Sequence, residues 1–154
     1  MFDALMHKGC ATMRALQGPR ALATDLLALG IRLYIAQVFF LAGLTKIRDW
    51  ETTVLLFTDE YHVPLVPPEF AAVLGTFGEL VFPVLLVLGL LTPLAALGLS
   101  AVNVMAVVSY WHFLKDAETA LALHYFWGTF LLVTLLYGPG RISIDAWLCR
   151  KFKR

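Results

Sequence analysis

Glu79 is the single formal charge in residues 70–91, FAAVLGTFGELVFPVLLVLGLL. An apolar run of about 20 residues is long enough to cross a bilayer as a helix. A carboxylate at mid-depth is disfavoured by about 2.5–3.5 kcal/mol on insertion scales, so it must face protein or a polar cavity. Three further polar residues lie in comparable surroundings: Arg32, Lys46 and Asn103. At a rise of about 1.5 Å per residue, Arg32 falls about 9 Å above the cytoplasmic edge of its span, Glu79 about 16 Å and Asn103 about 13 Å. These depths predict that Arg32, Glu79 and Asn103 meet in one buried polar group. Arg32, Ala36, Gly43 and Lys46 share a helix face whose small residues permit close contact with a neighbour. Such a group is either a structural ion pair orienting the bundle or a working site, a proton relay or a headgroup-binding site. Pro83, four residues after Glu79, predicts a kink that frees the Glu79 carbonyl.

His112 and His124 form a second constellation. They flank a short connection and fall at similar depths, about 27 and 24 Å above the inner edge by the same rise. With His62 or an acidic side chain they can hold a metal. Equally, they can donate to a quinone carbonyl and shuttle protons. The competing reading is an aromatic belt at the membrane edge, because Tyr110, Trp111 and Phe113 surround one histidine and Tyr125, Phe126 and Trp127 follow the other.

These residues are positioned by four apolar segments, residues 26–45, 70–91, 94–114 and 120–137. Thr24-Asp25 offers an N-cap for the first, and Gly138-Pro139-Gly140 a stop for the last. The expected fold is all-α, an integral four-transmembrane-helix bundle. Lys8, Arg14 and Arg20 precede the first span, and Arg141, Arg150, Lys151, Lys153 and Arg154 follow the last. That bias places both termini in the cytoplasm. The longer connection between helices 1 and 2, residues 49–69, then faces outward. Within it Trp50, Val54, Phe57 and Tyr61 recur at helical spacing, predicting an amphipathic segment that caps the bundle or lies on the leaflet, ended by Pro64, Pro67 and Pro68.

Composition agrees with this class. The chain of 154 residues is 60% hydrophobic and 15% charged, where soluble domains are about 45–50% apolar and about 25% charged. A net charge of +1 without a basic, aromatic-interleaved patch excludes nucleic acid as a partner. The division is an amphipathic or disordered segment over 1–24, a membrane domain over 25–148 and a basic tail over 149–154. Cys10 and Cys149 have neither redox nor zinc spacing and read as separate thiols on the reducing side. No nucleotide-binding loop or nucleophile elbow marks an independent enzyme.

Three motifs resemble one family. Arg32 with Phe40-Leu41-Ala42-Gly43-Leu44-Thr45-Lys46, then Glu79 with Leu88-Gly89-Leu90-Leu91-Thr92, then Gly138-Pro139-Gly140-Arg141-Ile142-Ser143-Ile144-Asp145 are similar to the motifs of DoxX-like membrane proteins. The resemblance spans residues 26–148 and implies a four-helix bundle in a bacterial inner membrane. It marks Arg32, Gly43, Lys46, Glu79, Gly89, Gly140, Ser143 and Asp145 as family positions, with Ser143 and Asp145 capping the helix that starts near Asp145. Pro93 stands where many members carry a basic residue, which argues against anion binding at that turn. The implied roles are a redox accessory subunit binding quinone between its helices, or a non-enzymatic partner of other membrane or stress-system proteins that docks a protein or helps move a small molecule. A homodimer fits the small-residue faces.

Overall fold

The computed structural model describes residues 17–152, all helix and connecting turns. Seven helices follow in order: α1 (Gln17–Arg48), α2 (Trp50–Asp59), α3 (Pro68–Leu88), α4 (Thr92–Ser109), α5 (Trp111–Leu114), α6 (Glu118–Tyr137) and α7 (Ile144–Phe152). Four of them, α1, α3, α4 and α6, are long and apolar enough to cross a membrane. They pack as a ring, α1 on α3, α3 on α4, α4 on α6 and α6 back on α1. The chain is a membrane protein. Leu41, Phe77, Val104 and Leu132 are exposed along the outside of the ring, where hydrocarbon is their solvent.

The core is narrow. Ile35, Phe39, Leu86, Ala95, Ala96, Leu99 and Leu131 are buried together between the four spans. On the α1–α6 side the seam is aromatic. Tyr34 meets Phe126 and Phe130 edge-on, and Phe39 meets Trp127. A second, smaller cluster lies under α2, where Phe57 packs on Ala71 and Ala72 of α3.

α2 is the amphipathic segment expected from the spacing of Trp50, Val54, Phe57 and Tyr61, and it caps the bundle. Its start is held by Asp49, whose Oδ1 accepts from Thr52 N at 3.0 Å. The Thr52 hydroxyl and N–H both lower the Asp49 carboxyl pKa. Thr53 ties the helix down by donating its hydroxyl to the carbonyl of Lys46 at 3.0 Å. α2 ends at Asp59, ahead of the prolines expected to stop it; Pro67 and Pro68 instead begin α3.

Three local expectations are corrected. Thr24-Asp25 is not an N-cap, because α1 is already helical from Gln17; Asp25 sends its carboxylate to Arg141 in the C-terminal segment. Residues 17–24, assigned to a separate segment, continue α1, while the expectation for 1–16 and Cys10 lie outside the described residues. The third span stops at Ser109, where Tyr110 leaves helical geometry (φ −113°, ψ 21°) and α5 follows as a single turn. α3 runs as one helix through buried Pro83 to Leu88, and Pro83, having no N–H, leaves the Glu79 carbonyl without its in-helix donor.

The length of α1 has a consequence for everything at its first half. It overhangs the end of α3, and residues 138–145 pack onto that overhang through Asp25 and Arg32. The bundle therefore has a terminal end, where α1 starts and α7 leaves, and a loop end, closed by α2 and α5.

Candidate functional site

At the loop end the helices diverge around a cavity of about 580 Å³. This is within the range of about 300–1,000 Å³ usual for small-molecule sites. Its walls are largely apolar, with Phe39, Leu74, Val102 and Met105 among them. Lys46, Glu79, His124, Tyr61, Tyr110 and Ser109 supply polar groups to the same space.

Lys46 and Glu79 face each other across the α1–α3 seam. The ammonium donates to both carboxylate oxygens, at 2.8 and 2.6 Å. Their meeting depends on Gly43, one turn before Lys46. A Cβ added there would lie 2.9 Å from Leu80 Cγ and 3.1 Å from Glu79 Cβ. The missing side chain lets the two helices approach closely enough for the charges to pair.

His124 enters from α6 and is held by Asn103 of α4. Asn103 donates from Nδ2 to the His124 carbonyl at 3.0 Å and faces the ring nitrogen Nδ1 with its Oδ1 at 2.9 Å. Trp127 stands edge-on to the same ring at 4.9 Å.

α2 and the following turn form the roof. Phe57 meets Tyr61 edge-on and Tyr61 meets Tyr110 in the same way. Tyr110 donates its hydroxyl to Glu60 at 3.1 Å, and His62 N donates to Ser109 O at 2.9 Å. Both tyrosines have raised pKa values. For Tyr61 burial is the larger cause, followed by the carboxylates of Glu60 and Glu79; for Tyr110 it is burial, then the hydrogen bond to Glu60.

The expected Arg32–Glu79–Asn103 group does not form. Arg32 points away from Glu79, toward the terminal end. It donates Nη1 to the carbonyls of Leu86 at 3.1 Å and Val87 at 3.4 Å, and Nη2 to Ile142 at 2.5 Å. Leu86 lies seven residues beyond Glu79 on α3, roughly 10 Å along the axis. Free carbonyls at a helix C-terminus attract a cation as strongly as geometry allows, and the end of α3 supplies them. Lys46, on the helix face it shares with Arg32 and Gly43, is the partner of Glu79.

Around Arg32 the C-terminal motif closes a latch. Asp145 does not cap its own helix. Its carboxylate accepts from Leu91 N and Thr92 N, each at 2.9 Å, and so caps the start of α4. Ser143 takes the cap of α7, accepting from Ala146 N at 3.1 Å. Burial pushes the Asp145 carboxyl up, but the Thr92 and Leu91 N–H groups and the charge of Arg32 outweigh it and hold it below its ordinary value. Gly89 turns the chain between α3 and α4 at φ +63°, and a Cβ on it would stand 2.4 Å from Arg32 Nη1 and 2.5 Å from Ser143 Cβ. Asp25 completes the latch by accepting from Arg141 N at 2.8 Å and Arg141 Nε at 2.5 Å.

The histidines also separate. His62 and His112 stand edge-on at 5.1 Å on the roof, while His124 belongs to the cavity wall. The expected pairing of His112 with His124 is replaced by the His124–Asn103 contact, because the chain breaks helix at Tyr110 before reaching His112. Among the described residues no three His, Cys, Asp or Glu side chains gather as a metal-binding group. Tyr61 and Glu60 had no site signal in the sequence beyond helical spacing, and Tyr110 resembled belt.

A four-helix membrane bundle with a polar-tipped cavity at one end and a charged latch at the other defines the class of protein. The family model for DoxX matches residues 27–112, and the chain belongs to that family. The match covers Arg32, Lys46, Glu79 and Asn103; His124 and the latch residues Arg141 to Asp145 lie beyond it. No curated protein and no solved structure matches the chain.

Proposed function

We propose that the chain is a redox accessory protein of a bacterial inner membrane that binds a quinone in the loop-end cavity. The observation that supports this reading is the meeting of Lys46, Glu79 and His124 in one largely apolar space of about 580 Å³. An isoprenoid-bearing ring needs apolar walls for its body and a few fixed polar groups for its oxygens. Lys46 keeps a third N–H beyond the two given to Glu79. It can donate to a ring oxygen, while His124 holds or moves a proton. The quinone, when bound, supplies the electron chemistry. The chain binds it, orients it and excludes water with the α2 roof.

Titration of the pure protein with short-tailed quinone analogues, read by tryptophan fluorescence with Trp127 in the cavity wall as reporter, tests this. Saturable binding that weakens at least tenfold in Glu79→Gln is expected. Absence of binding, or binding indifferent to Glu79→Gln, overturns it.

The orientation follows from charge. Arg141, Arg150 and Lys151 sit at the terminal end, and Lys8, Arg14 and Arg20 precede the first apolar run in the sequence. We infer that this end is cytoplasmic. Cys149 is exposed there. In a Cys10→Ser background, a membrane-impermeant maleimide added to whole cells is expected to leave Cys149 unlabelled until the membrane is opened. Labelling of intact cells reverses the topology.

A further inference from the structure

Asn103 and His124 make two contacts with each other, and together they fix a chemical property of the cavity. A backbone carbonyl can only accept a hydrogen bond. The atom of Asn103 placed 3.0 Å from the His124 carbonyl must therefore be the amide nitrogen. That leaves the amide oxygen, which also only accepts, against ring Nδ1 at 2.9 Å. Nδ1 must carry the hydrogen. In the neutral ring Nε2 is then the lone-pair nitrogen, and among the described residues it has no hydrogen-bond partner. Both contacts come from one side chain on one neighbouring helix, so the tautomer cannot invert without losing its bond to Asn103. Gly128, one turn below His124, leaves room for the amide; a Cβ there would stand 3.4 Å from Asn103 Nδ2.

The cavity thus presents an acceptor at His124, where a carbonyl-bearing ligand would need a donor. We propose that Asn103 is a positioning residue that sets His124 to accept from a hydroxyl, so that the cavity prefers a hydroxylated aromatic ring, a hydroquinone or related phenol, over the oxidised quinone. Lys46 serves the second ring oxygen in either form, because an ammonium donates equally to a hydroxyl or a carbonyl oxygen. The discrimination lies at His124 alone. The proposal rests on the cavity being the ligand site and adds which redox form it holds.

The test compares a matched pair, duroquinol and duroquinone, titrated anaerobically into the detergent-solubilised full chain. The expected preference for the quinol is about tenfold, the size of one hydrogen bond made against one unmade. Asn103→Leu frees the tautomer and is expected to reduce the preference to about twofold or less, since one retained hydrogen bond no longer separates the forms. Nitrogen-15 spectra of histidine-labelled protein read the tautomer without a ligand, and the lone-pair nitrogen is expected at Nε2. Equal binding of the two forms overturns the preference while the cavity reading stands. Binding of neither overturns the cavity reading and the ligand assigned to it. A lone pair found at Nδ1, or a preference that survives Asn103→Leu, overturns the role of Asn103.

Discussion

The terminal end and the loop end of the bundle both bury charge, but they complete it in different ways. At the terminal end Arg32 and Asp145 bind helix termini. The guanidinium takes the last carbonyls of α3 and the carboxylate takes the first N–H groups of α4. The chain itself takes these contacts that an outside ion could make, although Arg32 Nε and Thr92 Oγ1 stay buried with no hydrogen-bond partner among the described residues. The N-terminus of α4 would otherwise be a site for an outside anion; Asp145 occupies it. At the loop end Lys46 and Glu79 pair with each other beside open volume, and His124 keeps a ring nitrogen free. Charge spent on the chain's own backbone ends makes structure. Charge left with unused hydrogen-bonding capacity beside a cavity makes a site. The family motifs divide along the same line, with Gly43, Lys46 and Glu79 at the cavity and Arg32, Gly89, Gly140, Ser143 and Asp145 in the latch.

The largest effect should come from removing the centre of the latch. Arg32→Ala removes the donor to the carbonyls of Val87 and Ile142, leaves the Leu86 carbonyl with the Gly89 N–H alone, and removes the positive charge facing Asp145. Losing a hydrogen bond made by a charged group costs roughly 1.5–3 kcal/mol, and Arg32 makes several. Thermal unfolding in detergent should show this loss. A variant as stable as the parent would erase the distinction drawn between the two ends.

Gly43→Ala attacks the other end through packing. The new Cβ meets Leu80 at 2.9 Å, and overpacking of this kind costs about 1–3 kcal/mol. The α1–α3 seam must open, which separates Lys46 from Glu79. Quinone-analogue affinity should fall by more than the stability loss accounts for, whereas Arg32→Ala protein that remains folded should bind as the parent does. Equal loss of binding in both would mean that the ends are not independent.

Asp145→Asn is milder, because an asparagine can still accept one of the two N–H bonds. A loss of about 1 kcal/mol is expected, as for other helix caps. The pH dependence sharpens it. The folded Asp145 carboxyl lies below its ordinary value of 3.8. Its contribution is therefore fully present above about that pH and disappears as pH falls through the depressed folded value. Parent and Asp145→Asn should differ at neutral pH and converge in strong acid. A gap that persists there would assign the cap's effect to shape rather than charge.

The four spans and the capping segment α2 were legible because hydrophobic length and helical spacing are local properties of the chain. Glu79 was legible as a buried charge for the same reason. Its partner was not. Depth arithmetic ranked Arg32 nearest, but an arginine reaches several ångströms along a helix, and the direction of that reach decides its partner. Arg32 turned toward free carbonyls at the end of α3, which exist only once the α3–α4 turn is built. Lys46 was legible as a buried polar candidate but not as the partner of Glu79, because α1 runs to Arg48, three residues beyond the apolar pattern. Asp145 was read as a cap of its own helix because sequence proximity favours that choice. Its true partners, Leu91 and Thr92, are more than 50 positions away.

The smallest expected effect lies in the roof of the cavity. Tyr110→Phe removes one exposed hydrogen bond, from the Tyr110 hydroxyl to Glu60, and leaves the ring edge-on to Tyr61 and stacked on Phe113. A solvent-exposed bond of this kind contributes about 0.5 kcal/mol or a little more, too little to move the unfolding midpoint clearly. Its effect should be local, because Glu60 and His62 are the points at which the segment after α2 is tied to the end of α4. Amide hydrogen exchange at His62, whose N–H is bonded to Ser109 O, should quicken about twofold, the factor that such an energy gives. Exchange around Arg32 and Asp145 should not change. Quickening at both ends would show that roof and latch open as one unit, and the separation between a closed structural end and an openable ligand end would have to be abandoned.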